Sequence, residues 1–247
     1  MKLLIDAGNT RIKWALVDGD DWVRNGVISV EQAGELPQQF ADVRNIQQIW
    51  VSNVAGEEIS QHIRNISVGQ PHFIVARESQ CGVRNGYSNA SQLGSDRWAA
   101  LIATWHLVQG KCLVVNSGTA TTIDTLSERG EFLGGLILPG VELMQRSLVA
   151  ATDQLKSGRV ESGRGEYGPF PLNSADALYS GAIQASCGAI ERQYTLLNDD
   201  SATVILSGGA AGLLQRHLNQ KHFSVPPRVV DNLVLQGLLL MAQEANA

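Results

Sequence analysis

Three glycine-containing turns in this sequence each follow a short apolar run, at Asp6–Thr10, Asn116–Thr122 and Ser207–Gly212. Glycine lets backbone N–H groups approach an anion closely, and serine or threonine hydroxyls add further donors, so phosphate is the usual ligand of such turns. None of them has the Gly-Lys-Ser/Thr ending of a P-loop or the GxGxxG pattern of a dinucleotide site. A single turn of this kind would indicate only a turn, but three of them predict a nucleotide cleft.

Asp6 lies at the end of a predicted buried strand, where an unpaired carboxylate is costly. A magnesium ion, bound through water, would satisfy this carboxylate and would also bridge phosphate oxygens. Lys13 follows on the next predicted strand and is a candidate phosphate contact. In the alternative interpretation, Asp6 accepts the backbone N–H groups of Gly8 and Asn9, and Lys13 is an ordinary solvated lysine.

Asp96 and Arg97 come at the start of a predicted helix, after a loop of small polar residues that contains Tyr87. Aspartate is a common residue in the first turn of a helix, so helix capping alone would explain Asp96. Beside three phosphate-type turns, the same carboxylate can take a proton from an attacking hydroxyl, and Arg97 can hold a substrate carboxylate with two hydrogen bonds. This set of groups fits phosphoryl transfer, in which the protein mainly positions groups and neutralises charge.

Composition excludes several other classes of protein. The 247 residues carry 19 Lys+Arg and 24 Asp+Glu, for a net charge of −5, which argues against a nucleic-acid partner. No apolar run approaches the roughly 18 to 20 residues of a membrane span, and the N-terminus lacks the apolar region of a signal peptide. The three cysteines fit neither a disulfide framework nor a zinc site. We therefore expect a soluble cytoplasmic protein with no membrane partner.

The predicted elements follow the same plan twice. IDAGNTRIKWALVDGD and VNSGTATTIDTLSERGE both predict a strand, a polar glycine turn, a second strand and another turn. We interpret this as an internal duplication that gives two domains, residues 1–111 and 112–247. Strands and helices interleave along the chain, which favours an α/β fold. Strong helices are predicted from Ser95 or Asp96 to Gly110 and over Ser174–Leu197, and a loop rich in glycine and proline is predicted over Arg159–Leu172.

Six segments resemble, in the same order, motifs of the type III pantothenate kinases. They are DAGNTRIKWAL, NGYSNASQLGSDRWAAL, VVNSGTATTID, GGLILPG, NSADALYSGA and VILSGGAAGLL. The segments run from residue 6 to about residue 214 and cover nearly the whole chain. One such motif would be a weak signal, whereas six in order are highly specific.

The resemblance implies a fold of the actin/sugar-kinase/Hsc70 type, in which two ribonuclease-H-like lobes have a nucleotide cleft between them. It also implies transfer of the ATP γ-phosphate to the 4′-hydroxyl of pantothenate, the first step of coenzyme A biosynthesis, by a homodimer. By motif position, Asp96 is the general base, and the pantothenate contacts are Tyr87, Gly94, Ser95, Asp96, Arg97 and Ser174. The implied ATP contacts are Asp6, Ala7, Gly8, Asn9, Thr10, Arg11, Ile12, Lys13 and Thr119, with Asp6 directed towards magnesium.

The sequence departs from the family pattern at two of these positions. Asn116 stands where the family often has an aspartate that binds potassium or ammonium, and a neutral amide is a weaker cation ligand. We therefore expect weak or altered dependence on a monovalent cation. Ser174 stands where a threonine is typical, and its hydroxyl is expected to reach the substrate across the dimer interface.

Two alternative functions remain open on the sequence. One is a non-catalytic nucleotide-binding regulator with the same fold, such as an accessory factor in gene expression, because a fold does not determine a function. The other is a kinase of a different small molecule within the same superfamily.

Overall fold

The computed structural model describes residues 1–66, 69–151 and 165–246 and divides into two compact units. The first unit comprises Met1–Leu107, Gly130–Phe132 and Asn232–Ala247, and the second comprises Val108–Arg129 and Leu133–Asp231. The predicted ranges 1–111 and 112–247 differ from these units chiefly at the C-terminus, because the last helix of the chain packs with the first unit.

Two five-stranded sheets form the centres of the two units. The strands are β1 (Lys2–Ala7), β2 (Arg11–Asp18), β3 (Asp21–Ser29), β4 (Gln48–Asn53), β5 (Pro71–Phe73), β6 (Ser79–Gln80), β7 (Val83–Arg84), β8 (Cys112–Ser117), β9 (Ala120–Leu126), β10 (Phe132–Pro139), β11 (Thr203–Ser207) and β12 (Arg228–Val229). The first sheet has the order β3-β2-β1-β4-β5, and the second has the order β10-β9-β8-β11-β12. Since β8 to β12 take the places of β1 to β5, the duplicated plan predicted from the sequence is confirmed.

The strand directions are also repeated. In the first sheet β1 runs antiparallel to β2 and parallel to β4, and in the second sheet β8 runs antiparallel to β9 and parallel to β11. The carboxyl ends of β1 and β4 therefore meet at one edge of the first sheet, and those of β8 and β11 meet at the equivalent edge of the second. The glycine turns predicted from the sequence begin at these edges.

Six α-helices and three 3₁₀ helices accompany the strands in the described ranges. The α-helices are α1 (Glu57–Arg64), α2 (Ser95–Val108), α3 (Val141–Ala151), α4 (Ser174–Leu197), α5 (Ala211–His217) and α6 (Leu233–Glu244); the 3₁₀ helices are Val30–Phe40, Ala90–Gln92 and Gln220–His222. The predicted helix starts at Ser95 and Ser174 are confirmed. Residues 159–164 of the predicted loop lie outside the described residues. No helix of the described chain is long and apolar enough to cross a membrane.

One face of each sheet packs on its own helices. In the first unit, Leu3 and Ile5 of β1 pack in one core with Leu36 of the 3₁₀ helix and Ile63 of α1. Side chains alternate between the faces of a strand, so Asp6 points to the opposite face from these residues. The same alternation in the second sheet directs Asn116 away from the core that contains Leu113 and Val115 of β8.

Helix α6 covers part of the first sheet and crosses α2 at close range. It packs against β1 and β4. At Gly237 a Cβ atom would overlap the carbonyl group of Ala99 in α2, so only glycine permits this approach. The C-terminal helix therefore helps to fix α2, the helix that carries Asp96 and Arg97.

Candidate functional site

The turn between β1 and β2 carries the first group of predicted site residues. Ala7 and Ile12 pair across the hairpin and are fully buried, so their side chains serve the core. The predicted ATP contacts between them form the turn itself, in which Asn9, Thr10 and Arg11 are exposed. The N–H of Gly8 donates to the carbonyl of Arg11 at 3.1 Å, which closes the turn without help from the Asp6 side chain.

Asp6 lies between two polar residues on the neighbouring strands. Its partners in the strand register are Lys13 on β2 and Ser52 on β4. The hydroxyls of Ser52 and Ser95 lie 2.9 Å apart, and both residues are buried. This hydrogen bond ties the first residue of α2 to the carboxyl end of β4 and thereby brings the start of α2 to the strand that flanks Asp6.

Asp96 follows in the first turn of α2. Its Oδ1 atom accepts the backbone N–H of Arg97 at 2.8 Å, which provides a partner for one of the N–H groups that a first helical turn leaves unpaired. A Cβ atom at Gly94 would lie only 2.7 Å from the same oxygen, so glycine is needed to leave room for this side-chain conformation. The geometry of Asp96 thus depends on the residue two positions before it.

The charge of Asp96 acts on the Asp6 carboxyl group. The pKa of Asp6 is raised to about 7, chiefly by burial and next by the Asp96 charge, while Lys13 partly opposes the shift. A partly buried carboxyl group with a second carboxylate nearby is a favourable place for a cation. Mg²⁺ prefers oxygen ligands and is usually held by one or two carboxylates together with phosphate oxygens, so these residues fit a magnesium ion. Within the described residues, no group of three or more His, Cys, Asp and Glu side chains is suited to hold a metal by itself.

Arg97 points into an aromatic cluster. Its side chain is only 6% exposed, and its Nη1 atom donates to the Tyr87 hydroxyl at 3.0 Å. The guanidinium carbon lies 5.8 Å from the centre of the Tyr87 ring and 5.7 Å from that of Phe132, while the two ring centres are 5.3 Å apart. The three groups, which we call the Arg97 cluster, bring together two of the predicted substrate contacts with a phenylalanine that the sequence analysis missed.

In the second unit, two glycine-containing segments pack against the glycine turn at residues 116–119. The Gly140 N–H donates to the Thr119 carbonyl at 2.8 Å, and the Ala210 N–H donates to the Ser117 carbonyl at 3.0 Å. At Gly140 and at Gly208, which has a φ of +92°, a Cβ atom would overlap the backbone of this turn. The second and third predicted phosphate turns are therefore adjacent.

Asn116 occupies the position in the second sheet that Asp6 occupies in the first. Its register partners are Thr122 on β9 and Ser207 on β11. Beyond it, the Ser117 and Thr121 hydroxyls are hydrogen-bonded at 2.8 Å and fully buried, which braces the base of the turn. Thr119, the predicted ATP contact of this unit, lies on its exposed side.

Ser174 lies in the second unit at the exposed first residue of α4. Asn173 caps this helix, because its side-chain oxygen accepts the backbone N–H of Asp176 at 3.0 Å. Ser174 lines a cavity of about 560 Å³ between α3 and α4, whose other lining residues are Met144, Ser147, Leu148, Ala177, Leu178, Gly181 and Ala182. Its surroundings are thus mainly apolar.

Ser52, beside Asp6, and Phe132, beside Arg97, were not predicted from the sequence as site residues. Ser52 reads as the last residue of an ordinary buried strand, and only the register with Asp6 and the bond to Ser95 show its place. Phe132 follows a predicted turn and reads as a core residue. The sequence feature that could have pointed to Phe132 is its position next to the GGLILPG segment.

Comparison with known families identifies a clear relationship. A family model described as type III pantothenate kinase matches residues 2–196. A type III pantothenate kinase of Nitrosospira multiformis is 47% identical over 99% of this chain and 92% of its own length. One of Nitrosomonas eutropha is 44% identical, over 99% and 95% of the two chains.

Solved structures with low sequence identity share the fold. A 2-dehydro-3-deoxygalactonokinase candidate of Sinorhizobium meliloti has a TM-score of 0.61 at 13% identity over 98% of each chain. A candidate Baf family transcriptional activator of Campylobacter jejuni has a TM-score of 0.60 at 22% identity, over 99% of this chain and 100% of its own. At such identities the likeness establishes the fold alone. The predicted α/β fold of the actin/sugar-kinase/Hsc70 type is confirmed.

The pKa of Asp6 makes a testable prediction about the metal-free protein. The pKa of about 7 in the folded state lies above the ordinary value of 3.8, so between these values the folded protein holds a proton that the unfolded chain has lost. The contribution of Asp6 to stability must therefore fall as pH rises from about 4 to about 7, by at most about 4 kcal/mol. In EDTA, Asp6→Asn should gain thermal stability relative to wild type as pH rises through this window.

The matched control is Asp21→Asn, at an exposed position of β3. It should follow the wild-type pH dependence of the melting temperature. Parallel curves for Asp6→Asn and wild type between pH 4 and 8 would contradict the burial of the Asp6 charge.

Proposed function

The chain belongs to the type III pantothenate kinase family, and from this premise we propose that Asp96 is the general base and that the first unit binds pantothenate through Tyr87 and residues 94–97. The chain is an ATP-dependent kinase that phosphorylates pantothenate in the biosynthesis of coenzyme A. The observation that carries the residue assignment is the start of α2, where Asp96 stands within electrostatic reach of Asp6 while Arg97 points into an aromatic cluster.

In the proposed step, Asp96 accepts the proton of the 4′-hydroxyl of pantothenate as the hydroxyl oxygen attacks the γ-phosphorus of ATP. A new O–P bond forms, the bond between the γ-phosphorus and the β,γ-bridging oxygen breaks, and ADP leaves. The proton then passes from Asp96 to solvent. Positioned carboxylates of this kind act on the nucleophile in phosphoryl transfer, where most of the catalysis comes from orientation and charge neutralisation.

The other end of pantothenate is a carboxylate, which we assign to Arg97. A guanidinium can donate two parallel hydrogen bonds to a carboxylate. Tyr87 accepts a hydrogen bond from Arg97 and thereby helps to hold its side chain, while Gly94 and Ser95 set the start of α2. This arrangement supports the assignment of Tyr87, Gly94, Ser95, Asp96 and Arg97 to the substrate.

We assign ATP phosphates to the Asp6–Lys13 hairpin and to the Thr119 turn. The first offers Lys13 and an exposed turn, and the second is an exposed glycine turn supported by Gly140 and Gly208. Asp6 would hold magnesium through water, and the ion when bound supplies positive charge to the phosphate oxygens. Lys13 would offset phosphate charge next to Asp6.

The proposal includes a homodimer. Apolar side chains are exposed on β10, on α3 and before α4, and exposed apolar surface of this extent marks interaction sites. They are Leu133, Leu136, Ile137, Leu143, Leu148, Phe170 and Leu172. A second copy covering them would also enclose the cavity beside Ser174, whose hydroxyl would then reach substrate held by the partner.

We place the enzyme in the cytoplasm, a reducing compartment in which its three free thiols would persist.

Asp96→Asn is the direct test of the general base. The amide keeps the shape of the side chain and cannot accept the hydroxyl proton, so kcat/KM for pantothenate should fall about 10²- to 10⁴-fold. The measurement is pantothenate-dependent ADP release. Glu58→Gln removes an exposed acidic group from the first turn of α1 and should leave the rate unchanged. An undiminished Asp96→Asn rate would overturn the assignment, and wild-type protein without pantothenate-stimulated turnover would overturn the function.

Asn116 predicts a weak response to monovalent cations, because an amide carries no charge to attract them. Replacing potassium by sodium at constant ionic strength should change kcat/KM little. Asn116→Asp, which introduces the carboxylate frequent in the family, should increase the response to potassium and ammonium. A steep potassium requirement of the wild-type enzyme in steady-state assays would contradict this proposal.

The dimer can be tested at Leu172, which is 100% exposed. Leu172→Glu places a charge on the proposed interface without touching the core, and should shift sedimentation velocity towards the monomer. Leu196→Glu is the matched control: Leu196 is 59% exposed and lies about 33 Å along α4 from Ser174. A wild-type monomer, or a dimer that both variants leave intact, would count against the interface.

A further inference from the structure

Phe132 is buried beside the proposed substrate residues, yet no step of the proposed reaction uses it. Its side chain is 1% exposed, and its ring centre lies 5.7 Å from the guanidinium carbon of Arg97 and 5.3 Å from the Tyr87 ring centre. With the 5.8 Å between Arg97 and Tyr87, the Arg97 cluster is nearly an equilateral triangle. The guanidinium is therefore bounded by two rings at once.

The backbone around Phe132 is fixed independently of its side chain. The Arg84 N–H donates to the Gly130 carbonyl at 2.9 Å, and the Arg84 and Glu131 side chains form an ion pair at 2.7 Å. Gly130 has a φ of +75°, and a Cβ atom there would lie 2.7 Å from the Gly82 carbonyl and 2.9 Å from the Trp105 ring. Residues 130–132 are thus anchored in the first unit, which delivers the Phe132 ring to Arg97.

A ring within about 6 Å of a guanidinium attracts it through the negative face of its π system, most strongly where water is excluded. Arginine also has a long side chain with many rotamers, and the conformational entropy of these rotamers is lost when the guanidinium binds a carboxylate in a fixed two-bond geometry. Holding the guanidinium in place beforehand removes that cost from the binding step. The Tyr87 hydroxyl accepts a hydrogen bond from Nη1 of Arg97, and the Phe132 ring is a further restraint on the position of the guanidinium.

We propose that Phe132 is a positioning residue that, together with Tyr87, pre-orients the Arg97 guanidinium to receive the carboxylate of the substrate. The proposal rests on the proposed function, because it takes Arg97 to be the carboxylate ligand. Phe132 acts only through Arg97 and makes no contact with the reacting atoms. It therefore affects the binding of substrates that carry a carboxylate and leaves the phosphoryl-transfer step unchanged.

The test is Phe132→Leu, which keeps an apolar side chain and removes the π face. The KM for pantothenate should rise about 3- to 10-fold with kcat nearly unchanged, as expected for loss of a moderate cation–π interaction. The KM for the primary carboxamide analogue of pantothenate should not change, because that substrate brings no carboxylate to Arg97. Phe132→Tyr retains the ring and should restore the wild-type KM for pantothenate.

A double-mutant cycle separates positioning from general packing. In an Arg97→Met background, Phe132→Leu should add no further increase in KM, since its effect passes through Arg97. Phe40→Leu is the matched control: Phe40 is 2% exposed in the same unit and packs edge-on against Trp14. It should lower the melting temperature as a core substitution does and leave both KM values unchanged.

The outcomes distinguish this inference from the function beneath it. An active wild-type enzyme with an unchanged KM in Phe132→Leu would overturn the positioning role and leave the kinase assignment intact. Equal increases in KM for pantothenate and for the carboxamide would overturn it as well. Wild-type protein that does not phosphorylate pantothenate would instead overturn the proposed function. If the leucine variant does not fold, Phe132→Met, which also lacks a ring, provides the same comparison.

Discussion

The placing of the Asp6 carboxyl group, which is removed from water and lies near the Asp96 charge, is the constraint on which this part of the first unit depends. A buried carboxyl group is costly to ionise, and a second carboxylate nearby adds to that cost. The two groups come from elements far apart in the chain, β1 and the start of α2. The Ser52–Ser95 hydrogen bond and the contact of Gly237 with α2 hold the second of these elements in place. Packing elsewhere in the unit therefore maintains an arrangement in which an ionised Asp6 is electrostatically unfavourable, and under the proposed function a bound cation would relieve it.

The duplicated sheets show how far the two halves have diverged in charge. At equivalent positions, the first sheet has Asp6 opposite Lys13, and the second has Asn116 opposite Thr122. The third partner is a serine in both sheets, Ser52 in one and Ser207 in the other. The first sheet thus has charged side chains at these positions, whereas the second sheet has neutral hydroxyls and an amide. Under the proposed function, the second unit binds phosphate through neutral dipoles, and the first unit provides the charged groups, Asp6 for magnesium and Lys13 for phosphate.

The sequence predicts the parts of this molecule that depend on local patterns. Alternating apolar residues on both sides of a glycine turn are sufficient to predict the β1–β2 hairpin, and the repeat of that pattern predicts the second sheet. The helix beginning at Ser95 is likewise predicted by its apolar spacing and its first-turn aspartate. Assigning a chemical role to Asp96 and Arg97, however, needed the neighbouring phosphate turns and the resemblance to a family, because capping alone explains an aspartate at that position.

The parts that the sequence does not predict depend on contacts between distant residues. The role of Ser52 follows from its register with Asp6 and its bond to a residue 43 positions away. The assignment of the last helix to the first unit follows from its packing on β1 and β4 and from the close approach at Gly237. Neither contact leaves a periodic signal in the sequence. The role of Phe132 is likewise not predictable from the sequence. A buried phenylalanine after a turn gives the same sequence pattern whether its ring fills a core or faces a guanidinium.

Under the proposed function, helix geometry lets two adjacent residues serve opposite ends of one substrate. Successive side chains on an α-helix are separated by about 100°. Asp96 is accordingly directed so that its charge raises the pKa of Asp6. Arg97 is instead directed into the aromatic cluster with Tyr87 and Phe132. Pantothenate has a hydroxyl at one end and a carboxylate at the other, so the proposed base and the proposed anion ligand, which diverge from one helical turn, would match both ends.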